Sequence, residues 1–294
     1  MKILKLLAIF LVLSGAIFLI LNWSSLFPST PPKTEEKWSE VDKLDITKEC
    51  AKIRDAWAQE TGWNEDLYKS QRADIDQSKA MGLFSMKGYD AVDRCLHEAA
   101  TNKACDGYMD ALHKQPFSAT DLNKQYSGVQ MVKKSEKLGN DPRTTKVEQI
   151  HKLYLAVQKF IGSKHQITAK FNTSTNSWQN FDAEKNKILQ QARALNQNPL
   201  FSEISMIPGF KDGLNSKSLE SKFAGMRNTF YQQLSNQIIN HYKNVAVTQD
   251  NYNRLEAVLD EFKKQSKNQK LVSNIEQVLY ELSKKIYKQN TDEQ

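Results

Sequence analysis

The chain has 294 residues, with 41 Lys and Arg against 34 Asp and Glu, a formal net charge of +7. Eleven Gly and seven Pro are few for the turns of an all-β protein of this length, and the prevalence of Lys, Gln, Glu, Leu and Ala favours helix. The basic excess is interspersed with acidic residues and forms no block, so no nucleic-acid partner is expected; anionic lipid headgroups are compatible with it, as are ordinary solvated helix faces.

Residues 1–5 carry Lys2 and Lys5, and residues 6–21 are an uncharged apolar run. As a helix from Leu6 to Trp23 this segment spans roughly 27 Å, close to the thickness of a bilayer core. The next charge is Lys33, so the positive-inside rule holds 1–5 in the cytoplasm and sends the remainder across. The reading is an uncleaved signal anchor over 6–23, a single pass through a cell inner membrane, with the bulk of the chain periplasmic. In a eukaryotic source the same signal implies a type II membrane protein. A cleaved signal peptide is the alternative, cut at Ser14-Gly15-Ala16. That cut leaves an apolar mature end and lacks a polar region before it. No cysteine follows the run to carry a lipid. Pro28, Pro31 and Pro32 among polar residues make 24–38 a linker.

Residues 39–140 read as a section of short helices. Ile46, Cys50, Ile53 and Trp57 form one apolar stripe, ended by Gly62, and Asn64 caps the next helix. Met81, Phe84 and Met86 read as core or hinge contacts. Tyr89, Val92, Leu96 and Ala99 form a second stripe, interrupted at Thr101-Asn102. Cys105, Tyr108, Met109 and Leu112 form a third, and Leu122, Val129, Val132 and Leu138 a fourth. Gly139-Asn140-Asp141-Pro142 is a break.

Residues 144–289 have the texture of a bundle of longer helices. Thr145 and Glu148 have capping-box spacing. Val147, Ile150, Tyr154, Val157 and Ile161 follow as a heptad pattern. With no proline between Arg143 and Pro199, this predicts one long coiled-coil-like helix, or two kinked near Gly162 or the polar run Asn172–Ser177. Residues 199–215 read as a loop. Three helices follow: Leu219 to Tyr242, one capped by Thr248, and one boxed by Ser266 and Gln269; 290–294 read as a flexible tail. The heptads close within one chain as an antiparallel bundle in the preferred reading, or between copies as a homo-oligomer. The fold class is therefore all-α: one N-terminal transmembrane helix and an extracytoplasmic helical bundle.

The three cysteines, Cys50, Cys95 and Cys105, lie on or beside apolar stripes, and an oxidising compartment makes a disulfide among them the expectation. Cys95 and Cys105 stand about 15 Å apart on a straight helix, beyond disulfide reach, and meet only if the chain reverses at Thr101-Asn102. Cys50 is free to pair with either. Asp106, Asp110 and His113 share a helix face, yet with Cys95 they match no trusted zinc spacing, so neither metal nor cofactor is expected. The carboxylate pairs Asp74/Asp76 and Asp90/Asp93 read as solvated faces. Trp178, with Phe171, is the aromatic candidate either for packing across a helix pair or for contacting a partner.

No phosphate loop, nucleophile elbow or His-Glu-x-x-His motif occurs, so the expectation leans away from an enzyme. The preferred reading is a non-enzymatic scaffold, adaptor or assembly factor with a protein partner in the envelope. A periplasmic inhibitor or immunity-type protein is the alternative, and a cell-envelope hydrolase the third.

Overall fold

The computed structural model describes residues 40–135 and 141–292. The expected cytoplasmic stub over 1–5, the expected anchor over 6–23 and the expected linker over 24–38 lie outside these residues, as do Leu138 to Asn140 and the last two positions of the expected tail. Among the described residues no helix is long and apolar enough to cross a membrane.

Eleven helices and one small hairpin make up the described chain, so the all-α class holds. Helix α1 (Glu40–Ala58) leads through Gly62 and Trp63 to α2 (Glu65–Ala80). There the Asn64 side chain accepts a hydrogen bond from the Leu67 N–H, satisfying one of the orphan donors of a helix start. Helix α3 (Met86–His113) starts at Ser85, whose hydroxyl accepts from the Gly88 N–H. It runs unbroken through Thr101-Asn102, contrary to the interruption expected there. Thr101 is fully buried within it and Asn102 lies on its exposed side, so the polar pair is absorbed into the helix rather than breaking it. Helix α4 (Ala119–Lys134) follows, capped by Ser118.

Helix α5 (Pro142–Gly162) is capped by Asp141, whose carboxylate accepts from the Arg143 N–H, with Pro142 opening the first turn. The Thr145–Glu148 box is thus displaced: Glu148 instead accepts from Lys133 of α4 and from Lys152. These two ammonium groups pull its carboxyl down to about 2. The heptad stripe of α5 is buried at Val147, Ile150, Tyr154 and Val157, but the long coiled-coil-like helix does not form. Helix α5 ends at Gly162, and residues 163–180 are non-helical around β1 (Phe171–Asn172) and β2 (Ser177–Trp178). The two strands pair antiparallel, Phe171 opposite Trp178 and Asn172 opposite Ser177. Asn172 Oδ1 accepts from the N–H groups of Ser174 and Thr175, and Asn176 adopts φ +50°, so the polar run closes a turn rather than kinking a helix.

Helix α6 (Phe181–Asn196) returns, followed by two single turns, α7 (Phe201–Ile204) and α8 (Phe210–Gly213), within the stretch expected to be a loop. Phe201, Ile204, Ile207 and Phe210 are buried there, and this apolar content is what folds the segment down. Helices α9 (Ser216–Lys243), α10 (Gln249–Gln265) and α11 (Gln269–Asp292) complete the bundle. Thr248 caps α10 as expected, its hydroxyl accepting from the Asn251 N–H. At α11 it is Asn268, not Ser266, whose side chain accepts from the Leu271 N–H, while Ser266 is buried. Helix α11 continues through 290–292, where a flexible tail was expected.

One continuous apolar core runs from Ile53 to Val278. Helix α3 is its axis in the first half, packed by α1, α2, α4 and α5; α9 is its axis in the second, packed by α6 and α11. Burying such stripes is what stabilises helices that are individually marginal in water.

Candidate functional site

Cys50 and Cys95 are bonded, with Cα atoms 5.5 Å apart. The continuity of α3 rules out Cys95 with Cys105, and the register that sets Ile46 beside Gly88 leaves Cys50 level with Cys95. Cys105 is buried and free, and burial pushes its thiol up to about 11, which leaves it unreactive at neutral pH.

The disulfide also fixes an orientation. Ile46 Cδ1 lies 3.3 Å from where a Cβ on Gly88 would sit, Cys50 bonds Cys95, and the Lys103 ammonium donates to the Glu60 carbonyl at 2.6 Å. Increasing residue numbers on α1 meet increasing numbers on α3, so the two helices run parallel. The start of α1 therefore lies at the same end of the molecule as the turn entering α3.

That turn is the most exposed apolar feature of the first half. Met81, Leu83 and Met86 are 61%, 65% and 63% exposed, where core or hinge contacts were expected. Gly82 at φ +65° makes the reversal, with open space around it. Phe84 alone turns inward, half-buried over Gly88. Lys79 and Lys87 flank the turn, and the Lys79 ammonium sits 4.2 Å from the centre of the Tyr89 ring. Behind it, Arg72 pairs with Asp93 and Asp76, and the Tyr89 hydroxyl donates to Asp76 at 2.9 Å. Two of the four singled-out carboxylates thus lock α2 to α3. Asp74 and Asp90 are exposed.

Towards the opposite end of α3, Gln125 of α4 enters a notch at Gly62 and Gly107, and Gly128 makes room for the Trp63 ring. Gln125 Oε1 accepts from the Trp63 N–H at 2.7 Å, and Trp63 stacks between Trp57 and Tyr68 with centroid separations of 5.6 and 5.3 Å. Nothing in the apolar spacing announced this notch; one glycine in the α1–α2 connection and one each on α3 and α4 were its only trace.

Trp178 and Phe171 occupy the hairpin. Phe171 is buried, and its N–H donates to Gln237 of α9. Trp178 is half-buried, donates from Nε1 to Gln265 at 3.0 Å and meets Phe262 edge-on. Both rings therefore hold the hairpin on α9 and α10, and the exposed edge of Trp178 is what they leave at the surface.

Asp106 and Asp110 are exposed, and His113 bonds the Glu203 carbonyl through Nε2 at 3.1 Å. Among the described residues no group of three or more His, Cys, Asp or Glu is placed to hold a metal ion. His151, which the sequence did not single out, is buried between Tyr126, stacked on it at 3.6 Å, and the Tyr108 hydroxyl at 3.3 Å. Burial holds its imidazole below the usual value. An open groove of about 480 Å³ lies between the end of α5 and α6, floored by Phe160, Ala194 and Leu195. Ser163 Oγ at its rim is 3.1 and 3.0 Å from the two ring nitrogens of His165. That equidistance is not the in-line geometry by which an imidazole takes a hydroxyl proton.

No protein-family model, curated protein or solved structure matches the chain.

Proposed function

We propose that this chain is a single-pass membrane protein whose helical domain works outside the cytoplasm as a non-enzymatic adaptor or scaffold, held to the bilayer by residues 6–23. The observation that carries the reading is the Cys50–Cys95 disulfide in the part of the chain that follows the uncharged run. Disulfides persist in compartments that oxidise thiols, which is where the positive-inside rule sends this part of the chain. The adaptor role rests on what the domain offers to others. It presents an apolar turn at one end and an apolar groove on one flank, while Asp76, Asp93 and His113 are engaged in holding the structure together.

The test is made on the full-length chain expressed in bacterial cells. Protease added to spheroplasts should remove everything beyond the anchor, and alkylation before reduction should modify neither Cys50 nor Cys95. In-membrane crosslinking should capture a second polypeptide. Protection from protease with both thiols reduced sinks the topology; recovery of the chain alone, with neither partner nor second copy, sinks the adaptor role.

A further inference from the structure

The apolar turn and the entry of the chain into the domain lie at the same end. Helix α1 starts at Glu40, six residues before Ile46, which is level with Gly88 of α3. At 1.5 Å per residue those residues carry the start of α1 about 9 Å past that level, towards the side on which the turn projects. Sixteen residues separate Trp23 from Glu40. Even fully extended they span roughly 55 Å, so the start of α1 stays within that reach of the bilayer and the face around it is the one a short tether brings nearest.

Three side chains on that face, Met81, Leu83 and Met86, are more than half exposed within six consecutive residues. They sit on a tight reversal with a half-buried foot, Phe84, and ammonium groups on either side, Lys79 and Lys87. An unbranched thioether adapts to a fluid surface, and lysines beside an apolar tip reach anionic headgroups while the tip enters the acyl boundary. Contacts too weak to hold a free protein suffice for a tethered one, because the tether raises their effective concentration to the millimolar range.

We propose that the Met81–Met86 turn is a second membrane contact, inserted at the interface of the bilayer that residues 6–23 cross, and that it sets the orientation of the domain on that surface. The inference rests on the anchored topology above. The occupant is lipid: the turn projects from the end where the chain leaves for the bilayer, and its apolar run is bounded by Lys79 and Lys87, an apolar tip with a basic rim as an interfacial segment has.

The test uses the full-length chain reconstituted in phosphatidylcholine vesicles containing phosphatidylglycerol. A nitroxide is attached at Leu83→Cys and, separately, at Lys114→Cys beyond the other end of α3. Cys105 is buried and the other two cysteines are bonded, so the label goes to the new site. The Leu83 label is expected to be reached by oxygen in preference to a water-soluble nickel chelate, and the Lys114 label the reverse. Adding Met81→Ser and Met86→Ser should lower the lipid-immersed population at position 83 roughly tenfold, with helix content unchanged.

A Leu83 label as open to nickel as that at Lys114 overturns the proposal. A label shielded from both quenchers overturns it in favour of a protein partner or a second copy. Carbonate extraction separates the two readings. Resistance with an aqueous label leaves the anchor standing and removes the turn, whereas extraction with an immersed label removes the anchor and keeps the turn.

Discussion

Adding one methyl group at Gly128 and one at Gly225 should move stability in opposite directions. Both glycines lie inside helices, α4 and α9, where Ala is favoured over Gly by about 1 kcal/mol. At Gly225 nothing lies within 4 Å of the new Cβ, so Gly225→Ala should gain most of that amount. At Gly128 the Cβ lands on the Trp63 ring, with Cδ1 2.9 Å away and two further ring atoms closer still. The ring is hemmed in, being stacked on Trp57, tilted against Tyr68 and held through its backbone N–H by Gln125. Overpacking of this kind costs roughly 1–3 kcal/mol and outweighs the helical gain, so Gly128→Ala should lose about 1 kcal/mol and sit about 2 kcal/mol below Gly225→Ala. Urea titration of the full-length protein in detergent, followed by helical circular dichroism, measures both midpoints. A Gly128→Ala midpoint at or above wild type would refute the close approach on which the notch depends.

Breaking the Cys50–Cys95 bond with the double serine variant should cost up to about 4 kcal/mol by chain entropy, given its 45-residue separation, and thermal melts with and without reductant should then coincide. Cys105→Ser should leave the response to reductant as in wild type. Because burial holds His151 below 6.5, the unfolded chain binds the extra proton first. Stability from this site is complete above pH 6.5 and is lost as pH falls through the lower folded value. His151→Phe should flatten the acid limb of a melting-temperature profile and leave the slope of the same sign due to His165. Trp178→Phe should cost about 1 kcal/mol through the lost bond to Gln265, and Trp178→Ala more. If alanine there leaves stability unchanged while abolishing a crosslink, the ring serves a partner rather than the hairpin.

Where apolar residues recur every three or four positions the sequence could be read directly, as in α1, α9 and α10, because one buried face fixes both the period and the extent. Asn64 and Thr248 were legible for the same kind of reason, since a short polar side chain before an amphipathic run satisfies a helix start locally. Thr101-Asn102 and Asn172–Ser177 were not distinguishable that way. Both are polar interruptions of a stripe, yet the first is absorbed into α3 by burial and the second is turned out as a hairpin because Phe171 and Trp178 find sites on α9 and α10. Tertiary contacts decide between those outcomes, and spacing along one helix does not contain them. The cysteine pairing became determinate only once α3 was continuous. The exposed turn escaped for the converse reason: Met81, Leu83 and Met86 have core composition, and only the surrounding helices reveal that no core reaches them.

The parallel pairing of α1 with α3 has a mechanical meaning. Tension applied upstream of Glu40 enters at the first turns of α1 and meets the covalent link at Cys50 after about ten residues. From there the load passes sideways into the early part of α3, the helix against which α1, α2, α4 and α5 all rest. The turns of α1 before Cys50 can yield and rewind like a short spring, while the remainder of α1 and the aromatic stack beneath it carry none of the pull. A domain towed by its leading end is thereby gripped at its central strut.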